Sequence, residues 1–380
     1  MQTAHQTFLF ELIHQSTRSR ARVGRIHTPH GVIDTPHFVP VATHAALKSV
    51  DALLTHHIDV HLMFCNTYHL MLHPGADTVA RAGGLHHFMK RNHPIITDSG
   101  GFQVFSLAYG GVHDELKSKG NSRTSTSVVK ITEEGVHFRS YRDGTSLFLT
   151  PESSIEAQKK LGADIILPLD ELPPYHISHD ALVASVARTH RWEERSLAAH
   201  RQHPTQQALY GILHGGTDPE LRQQSAQHLT NLPFDGFAIG GSFGKNTHDL
   251  ITMLSSLMPH VPTEFPIHLL GIGDLTSIDA ALPYGIDTFD SSYPSRAARH
   301  GTIFTRSGVL KIERTQHRNE LFPLDETCTC PVCTTHTRAY IHHLFKAHEL
   351  SAFTLATIHN ISHFMNLMRD YRTAILLNKI

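Results

Sequence analysis

The chain has 380 residues, of which 40% are hydrophobic, and this suits one large domain of about 250–300 residues with an appendage. Its 33 Lys and Arg residues nearly balance 34 Asp and Glu residues, which excludes an overall attraction to nucleic acid; any polyanion needs a local basic patch. With four cysteines, no apolar N-terminal signal stretch and no run of about eighteen apolar residues, the sequence predicts a cytoplasmic protein without disulfides or membrane spans.

Eight short apolar runs recur along the chain and predict β-strands. Stretches with helical periodicity lie between most of them, and PESSIEAQKKLGA (151–163) begins with Pro and an acidic residue, as helices commonly do. Fully apolar strands that alternate with helices indicate an α/β fold, a parallel (β/α)8 TIM barrel, with a doubly wound sheet as the alternative. The predicted strands lie within residues 37–42, 60–67, 94–100, 164–170, 208–215, 236–241, 267–273 and 285–291.

Polar or glycine residues stand at the carboxyl end of six of these runs. In a barrel, the carboxyl ends of all strands meet at one face, which is where active sites are built. The barrel interpretation therefore predicts that these residues converge on one site. They are Asn66, Asp98, Asp170, His214, Gly240 and Asp290.

Residues 112–150 interrupt the alternation of strands and helices. The segment is too long for one helix, and it is predicted to form a polar insertion followed by a small hairpin that closes at RDGT (142–145). Its first part, near 117–130, is a candidate contact for RNA or a partner subunit, with a surface loop as the alternative.

The pattern changes again after residue 300. Residues 298–314 predict two short strands, and a cysteine cluster and a long amphipathic helix from about Ala352 to Leu377 follow. We therefore expect a catalytic barrel over 1–300 and a C-terminal subdomain over 301–380 that packs on the barrel.

Two of the strand ends carry the chemical argument. Asp98 leaves an apolar strand and meets Ser-Gly-Gly, where glycine lets a ligand approach the backbone closely. Asp290 ends another strand. Two carboxylates that face one pocket suit nucleophilic and acid/base chemistry at a sugar carbon. In the alternative, one Asp caps a helix and the other binds backbone amides, but Asp170 as a third carboxylate disfavours that interpretation.

Arg296 and Arg299 follow Asp290 directly, and Lys311, Arg314 and Arg318 lie downstream. Arginine binds phosphate in a bidentate manner, and a few such contacts position a nucleic-acid backbone without reading its sequence. A solvated surface is the alternative, but the adjacency to Asp290 favours a phosphate-binding role.

Three of the four cysteines lie in CTCPVC (328–333). A redox pair would sit at a helix start in a thioredoxin-like context, which is missing, whereas C-x-C-x2-C supplies three thiolates to a tetrahedral zinc ion that needs one more N or S ligand. Cys65 lies in an apolar run and is predicted to be a buried, inert thiol. The downstream candidates for the fourth ligand are His336, His342, His343, His348, His359 and His363.

Several long motifs, taken together and in order, resemble the tRNA-guanine transglycosylase family of the bacterial and eukaryotic type. The resemblance runs from about residue 8 to the C-terminus. Its motifs are TDSGGFQVFSL (97–107), FAIGGSFG (237–244), LLGIG (269–273), DTFDSSYPSRAARHGT (287–302), CTCPVC (328–333) and TIHNI (357–361).

The resemblance implies a reaction. Asp290 attacks C1′ of the guanosine at the anticodon wobble position (34) of GUN-anticodon tRNAs for His, Asp, Asn and Tyr, and guanine leaves. Asp98 acts as general acid/base, and a 7-deazaguanine base then displaces the enzyme, so two inversions retain the β configuration. The base would be bound by Ser99, Phe102, Asp170, His214, Gly240, Gly241, Gly244 and Leu270.

The resemblance also implies partners and a metal. Arg296 and Arg299 would bind anticodon phosphates, and His359 would complete a structural zinc site, one Zn2+ per subunit, with Cys328, Cys330 and Cys333. Family members act as dimers, so we expect a homodimer. The retained Asp98 and Asp290 argue against an inactive partner subunit. A small-sugar glycosidase or phosphohydrolase barrel would not explain the basic stretch or the cysteines.

Three positions depart from the family pattern. Leu172 stands where bacterial members usually have Cys, and His214 stands where most members have Gln. Gly244 replaces the Val of bacterial enzymes that insert the small base preQ1, and eukaryotic enzymes that insert the bulky base queuine also have Gly. Removal of a side chain opens space more readily than it creates a contact, so we expect queuine to be favoured over preQ1.

Overall fold

The structure is a computed structural model that describes residues 8–55, 58–103 and 130–380. Its strands are β1 Leu9–Gln15, β2 Arg22–Thr28, β3 Gly31–Thr35, β4 His37–Pro40, β5 Met63–Cys65, β6 Ile95–Thr97, β7 Lys130–Ile131, β8 Val136–Arg139, β9 Ser146–Leu149, β10 Ile165–Ile166, β11 Ala208–Leu213, β12 Gly236–Ile239, β13 Ile267–Leu269, β14 Thr288–Ser291, β15 Thr302–Thr305 and β16 Gly308–Lys311.

Its helices include short ones of 4–11 residues and two long ones of 24 and 26 residues. They are α1 Ala52–Thr55, α2 Thr67–Leu72, α3 Ala76–Arg81, α4 Gly84–Met89, α5 Pro151–Leu161, α6 His179–Gln202, α7 Pro219–Leu229, α8 Thr247–Leu257, α9 Leu275–Ala281, α10 Tyr293–Arg299, α11 Pro331–Thr335, α12 Arg338–Lys346 and α13 Ser351–Leu376.

Eight parallel strands form the barrel, in the order β4-β14-β13-β12-β11-β10-β6-β5. A parallel bridge between Val41 and Phe64 joins the two end strands, and the N–H of Ala42 donates to the carbonyl of Phe64 at 2.7 Å. A doubly wound sheet would keep two open edges, so this closure excludes that alternative. Each of the eight predicted apolar runs contains one barrel strand, and the predicted fold class is confirmed.

The barrel interior is a continuous apolar cluster that includes Phe64, Ile96 and Ile212. The antiparallel sheet β1-β2-β3 adds Ile26 and Ile33 to the same cluster. This sheet therefore covers one end of the barrel and leaves the other end for the site.

The hairpin predicted to close at RDGT is present as β8 and β9, and β7 pairs with β8. Asp143 Oδ1 accepts the N–H of Thr145 at 3.1 Å in the connecting turn. The indole N–H of Trp192 on α6 donates to the carbonyl of Glu133 at 2.8 Å and holds the hairpin against the barrel. Except for Lys130 in β7, the predicted insertion at 117–130 lies outside the described residues.

The C-terminal region contains the two predicted strands, β15 and β16, and the predicted long helix, α13. Residues of α12 and α13 such as Ile341 and Phe364 belong to the same hydrophobic cluster as barrel residues such as Phe289. The C-terminal region is therefore packed on the barrel through a shared core, and its boundary at residue 300 stays a prediction. In the part of the chain that the structure describes, no helix has the length and apolar character needed to cross a bilayer.

Candidate active site and metal centre

A cavity of about 870 Å3 opens at the carboxyl ends of the barrel strands. Asp98 follows β6 and Asp290 lies in β14, so the two carboxylates reach the cavity from different sides of the barrel. Parallel strands place their carboxyl ends at one face, which explains this convergence. The predicted site residues that line the cavity are Asp98, Ser99, Phe102, Asp170, Gly240, Gly241, Gly244, Leu270, Asp290 and Arg296.

Asp98 is buried and held by three N–H donors. Its Oδ1 accepts the backbone N–H of Thr67 at 2.7 Å, and its Oδ2 accepts the side-chain amides of Asn66 at 2.7 Å and Gln103 at 3.1 Å. Burial raises the pKa of Asp98 to about 6, and the charge of Asp170 adds to this, while the three hydrogen bonds act in the opposite direction. A carboxyl whose pKa lies this near neutrality can both give and accept a proton.

Asp290 has two differently bonded carboxylate oxygens. Its Oδ1 accepts the N–H of Gly271 at 2.7 Å, and Nε2 of His268 lies 3.1 Å from the same oxygen. Among residues 8–55, 58–103 and 130–380, no hydrogen bond reaches Oδ2. One oxygen is therefore anchored, and the other is available to the cavity.

His268 was not among the predicted site residues. This residue lies inside the apolar strand β13 and is completely buried, and it is one of 34 histidines spread along the chain. The available signal was a polar side chain within the otherwise apolar run IHLLGIG (267–273).

Asp170 follows β10 and is held on both carboxylate oxygens. The hydroxyl of Ser99 donates to Oδ1 at 3.1 Å, and Nε2 of His214 lies 3.0 Å from Oδ2. His214 is 1% exposed and does not belong to the cavity wall, so the structure places it behind Asp170. Gly101 allows this close packing, because a Cβ there would lie 2.5 Å from the carbonyl oxygen of Asp170.

Arg222 joins the loops that follow the adjacent strands β11 and β12 through hydrogen bonds. Its buried guanidinium donates to the carbonyl oxygens of Gly216 at 2.8 Å, Leu213 at 2.7 Å and Ser242 at 3.1 Å. The N–H of Gly240 also donates to the carbonyl of Leu213, at 3.1 Å. Gly240 was predicted to bind the base, but its N–H is already engaged in this bond. Gly240 therefore contributes to the shape of the strand end.

Gly244 has a φ of +90°, which side chains rarely adopt, and a Cβ there would lie 2.2 Å from Cβ of Asp249. Asp249 accepts the N–H of Lys245 at 2.7 Å, so it is part of the loop's own hydrogen bonding. A valine at this position would therefore need a different backbone path. The extra space predicted from Gly244 depends on the conformation of the whole loop and not on the missing side chain alone.

The rim of the cavity combines an aromatic side chain with cationic ones. Phe102 is 46% exposed and, like Leu270, lines the cavity. Arg296 and Arg299 lie one turn apart on α10, directly after the strand that carries Asp290. Arg296 lines the cavity, whereas Arg299 lies outside its wall and donates to the carbonyl of Ser295 at 2.9 Å.

The cysteine cluster and His359 come together as predicted. The ligand atoms of Cys328, Cys330, Cys333 and His359 all lie within 4.8 Å of one another. Nδ1 of His359 lies 3.2 Å from Sγ of Cys333, while Nε2 donates to the carbonyl of Phe304 at 2.8 Å. In the neutral ring, that bond places the proton on Nε2 and leaves Nδ1 directed at the thiols, which is how histidine ligands are oriented in zinc sites. The donor set is therefore compatible with zinc.

A second group, His30, His86 and Asp164, also lies within 4.8 Å. The two imidazole rings stack with centroids 3.5 Å apart and an interplanar angle of 13°. A metal ion binds in the plane of an imidazole ring, and two nearly parallel stacked planes have no such point in common. We therefore interpret Asp164, which accepts the N–H of Ile95 at 2.8 Å, as a structural carboxylate.

Comparison with known proteins identifies the family. A family model described as Queuine tRNA-ribosyltransferase matches residues 16–380. A Protochlamydia amoebophila protein of that name is 60% identical over 368 residues, covering 97% of this chain and 95% of that protein. Proteins of the same name from Chlamydia felis and Chlamydia trachomatis serovar D are each 54% identical over 372 residues, covering 98% of this chain and 99% of each relative. The resemblance found in the motifs is confirmed, and the chain belongs to the queuine tRNA-ribosyltransferase family.

Proposed function

We propose that this chain is a pentosyltransferase that exchanges guanine at wobble position 34 of GUN-anticodon tRNAs for queuine, through a covalent intermediate on Asp290. The observation that carries the proposal is that Asp98 and Asp290 line one cavity at the carboxyl face of the barrel. The names of the relatives supply the tRNA and the queuine-type base. The tRNAs for His, Asp, Asn and Tyr in the cytoplasm are the expected substrates.

In the first displacement, the anionic carboxylate of Asp290 attacks C1′ of the ribose. The Oδ2–C1′ bond forms as the C1′–N9 bond breaks, and the electron pair of the broken bond leaves with guanine. Asp98 in its protonated form gives guanine the proton that neutralises it. The raised pKa of Asp98, about 6, supports this role, because the carboxyl can hold a proton near neutral pH.

In the second displacement, the incoming base gives its N9 proton to Asp98, which is now a carboxylate. The N9–C1′ bond forms, the Oδ2–C1′ bond breaks, and its electron pair returns to Asp290. The two inversions at C1′ restore the β configuration, and both carboxyl groups return to their starting protonation states.

Recognition of the base would centre on Asp170. The Watson–Crick edge of a guanine-type base presents two donors, N1–H and the exocyclic amine, and the Asp170 carboxylate can accept both because each oxygen has two lone pairs. Ser99 and His214 already hold that carboxylate in place. We assign the N–H of Gly241 to the base carbonyl, and Phe102 and Leu270 to the two faces of the ring.

Arg296 and Arg299 would bind phosphates of the anticodon loop. They lie on α10, which begins two residues after the strand that carries Asp290. The wobble nucleotide must leave the anticodon stack before its C1′ can reach Asp290 inside the cavity, so phosphate contacts beside the cavity would hold the flipped nucleotide.

Two observations leave room for queuine, and a cavity of this size also admits the smaller preQ1. The cavity volume of about 870 Å3 lies in the upper part of the range of about 300–1,000 Å3 found for small-molecule sites. The loop that contains Gly244 lines this space together with Leu172 and Tyr175, so a bulky substituent on the base has room. The same reaction with preQ1 is the alternative.

We propose that the Cys328, Cys330, Cys333 and His359 site holds one structural Zn2+ per subunit. All four ligands come from the protein, so no position is left for a reacting water, and such sites stabilise folds. His359 precedes Asn360, which bonds the carbonyl of Pro294 in α10. The zinc site would thereby hold the arginine-bearing helix beside the cavity, in a C-terminal subdomain that begins near residue 301.

We also propose a homodimer. Leu53 on α1 is 73% exposed and Leu321 is 79% exposed, and Tyr340 on α12 is also exposed. Contiguous apolar patches are typical of protein–protein contacts, whereas single exposed apolar side chains are common on any surface, so this proposal rests on the family resemblance. Native mass spectrometry of the zinc-loaded protein tests this, and a monomer at micromolar concentration would contradict it.

The experiment that tests the catalytic proposal is exchange of labelled guanine into unmodified tRNA. We expect the wild-type protein to incorporate the label and Asp290→Asn to fail. Asp274→Asn is the matched control, because Asp274 also lines the cavity but only caps α9. Label incorporation by Asp290→Asn would contradict the proposed nucleophile, and no incorporation by the wild type would favour a non-catalytic tRNA-binding subunit.

The choice of base needs a separate measurement. We expect mass-tagged queuine to enter tRNA with a higher kcat/KM than preQ1. Efficient entry of preQ1 without entry of queuine would show that the preference is wrong, while the exchange reaction itself would stand.

A further inference from the structure

We propose that His268 is a positioning residue for the reaction: it fixes Oδ1 of Asp290 so that Oδ2 is the oxygen that attacks C1′. The inference rests on the proposed role of Asp290 as nucleophile. It concerns how neighbouring strands hold that nucleophile in one orientation.

His268 forms the middle of a three-residue chain of hydrogen bonds on two paired strands. His268 in β13 and Thr288 in β14 are direct partners in the parallel ladder, and Asp290 lies two residues further on the same face of β14. Nδ1 of His268 is 2.8 Å from Oγ1 of Thr288, and Nε2 is 3.1 Å from Oδ1 of Asp290.

The two hydrogen-bond partners of His268, Asp290 and Thr288, determine which tautomer its ring adopts. An ionised carboxylate has no proton to give, so Nε2 of His268 must carry the proton that it shares with Asp290. When the ring is neutral, Nδ1 accepts from the hydroxyl of Thr288, and this second bond fixes both the tautomer and the ring orientation. The ring is completely buried and lies nearly parallel to Phe64, with centroids 6.1 Å apart and an interplanar angle of 22°.

This arrangement affects both displacements. In the first, Gly271 and His268 both donate to Oδ1, which leaves Oδ2 to form the bond to C1′. In the covalent ester, Oδ1 becomes the carbonyl oxygen and keeps both donors. In the second displacement, negative charge returns to the carboxylate, where the same two N–H groups stabilise the leaving group.

The test compares two substitutions at His268. His268→Leu fills a similar volume but has no donor, whereas the amide of His268→Gln can place an N–H near the position of Nε2. We expect His268→Leu to lower kcat for base exchange about 10- to 100-fold, the effect of one lost hydrogen bond to a charged group. The KM for tRNA should stay within about threefold, and His268→Gln should recover most of kcat.

A purely structural role predicts a different pattern. Equal losses in His268→Leu and His268→Gln, an unchanged kcat in His268→Leu, or a loss confined to KM would each overturn the inference. If His268→Leu does not fold, Thr288→Val replaces it: removal of the hydroxyl should lower kcat several-fold, and an unchanged kcat would overturn the inference.

Asp290→Asn, measured in parallel, separates this inference from the proposed function. Exchange by Asp290→Asn would contradict the nucleophile itself, whatever the His268 variants do. An inactive Asp290→Asn together with a fully active His268→Leu would contradict only the role of His268.

Discussion

Asn360→Leu should detach the arginine-bearing helix from the C-terminal helix without touching the cavity. Asn360 is completely buried on α13. Its Oδ1 accepts the N–H of Phe304 at 3.1 Å, and its Nδ2 donates to the carbonyls of Pro294 at 3.1 Å and Thr302 at 2.9 Å. Leucine has a similar size but cannot form any of these three hydrogen bonds. At about 1 kcal/mol for each lost hydrogen bond, the free energy of unfolding should fall by about 3 kcal/mol.

The assay is urea unfolding of the zinc-loaded protein, with tRNA binding measured on the folded variant. Asn231→Leu is the control, because Asn231 is exposed just after α7 and its side chain donates to the carbonyl of Gln227 in that helix; we expect a change of less than about 0.5 kcal/mol. The Kd for tRNA should rise in Asn360→Leu, since Pro294 belongs to the helix that carries Arg296. An unfolding free energy equal to that of the control, or unchanged tRNA binding, would refute the reasoning.

Three further predictions concern the metal, the base and the proton. Cys330→Ala should lose its zinc, measured by elemental analysis, and bind tRNA more weakly; a zinc-free variant with normal tRNA binding would contradict the proposal that the zinc site holds α10 beside the cavity. Asp170→Asn replaces an acceptor by an amide, so kcat/KM for the base should fall by about 100-fold or more, and an unchanged value would exclude the assigned contact. Because Asp98 must be ionised to accept the proton of the incoming base and its pKa is raised to about 6, reaction of the preformed adduct with base should slow about tenfold per pH unit below pH 6 and level off above it; a flat profile would contradict this role.

The barrel strands and the carboxylates at their ends were predictable because both signals are local. An apolar run predicts a strand from its own residues, and a polar residue at its carboxyl end, such as Asp98 or Asp290, is then placed at the barrel face by the topology alone. The cluster of three cysteines and His359 was predictable in part, since the cysteine spacing is local, whereas His359 was chosen by family resemblance.

The residues that orient the site were not predictable, because their roles arise from contacts between distant segments. His268 acts on a residue 22 positions away, and Asn360 holds Phe304, 56 positions away. The role of Arg222 in joining the loops after β11 and β12 is visible only in the folded structure, where its guanidinium reaches the carbonyls of Leu213 and Ser242. The sequence suggested that Gly244 makes room for a substituent, but the positive φ and the nearby Asp249 show a backbone requirement that composition does not reveal.

The most direct test of the central claim is to locate the covalent bond between enzyme and tRNA. Wild-type protein is mixed with unmodified tRNA and denatured during turnover, and the adduct is digested and mapped by mass spectrometry. The account predicts a ribose-linked peptide modified at Asp290, and no adduct in Asp290→Asn. An adduct on Asp98 or on another side chain, or exchange that proceeds without any adduct, would contradict it.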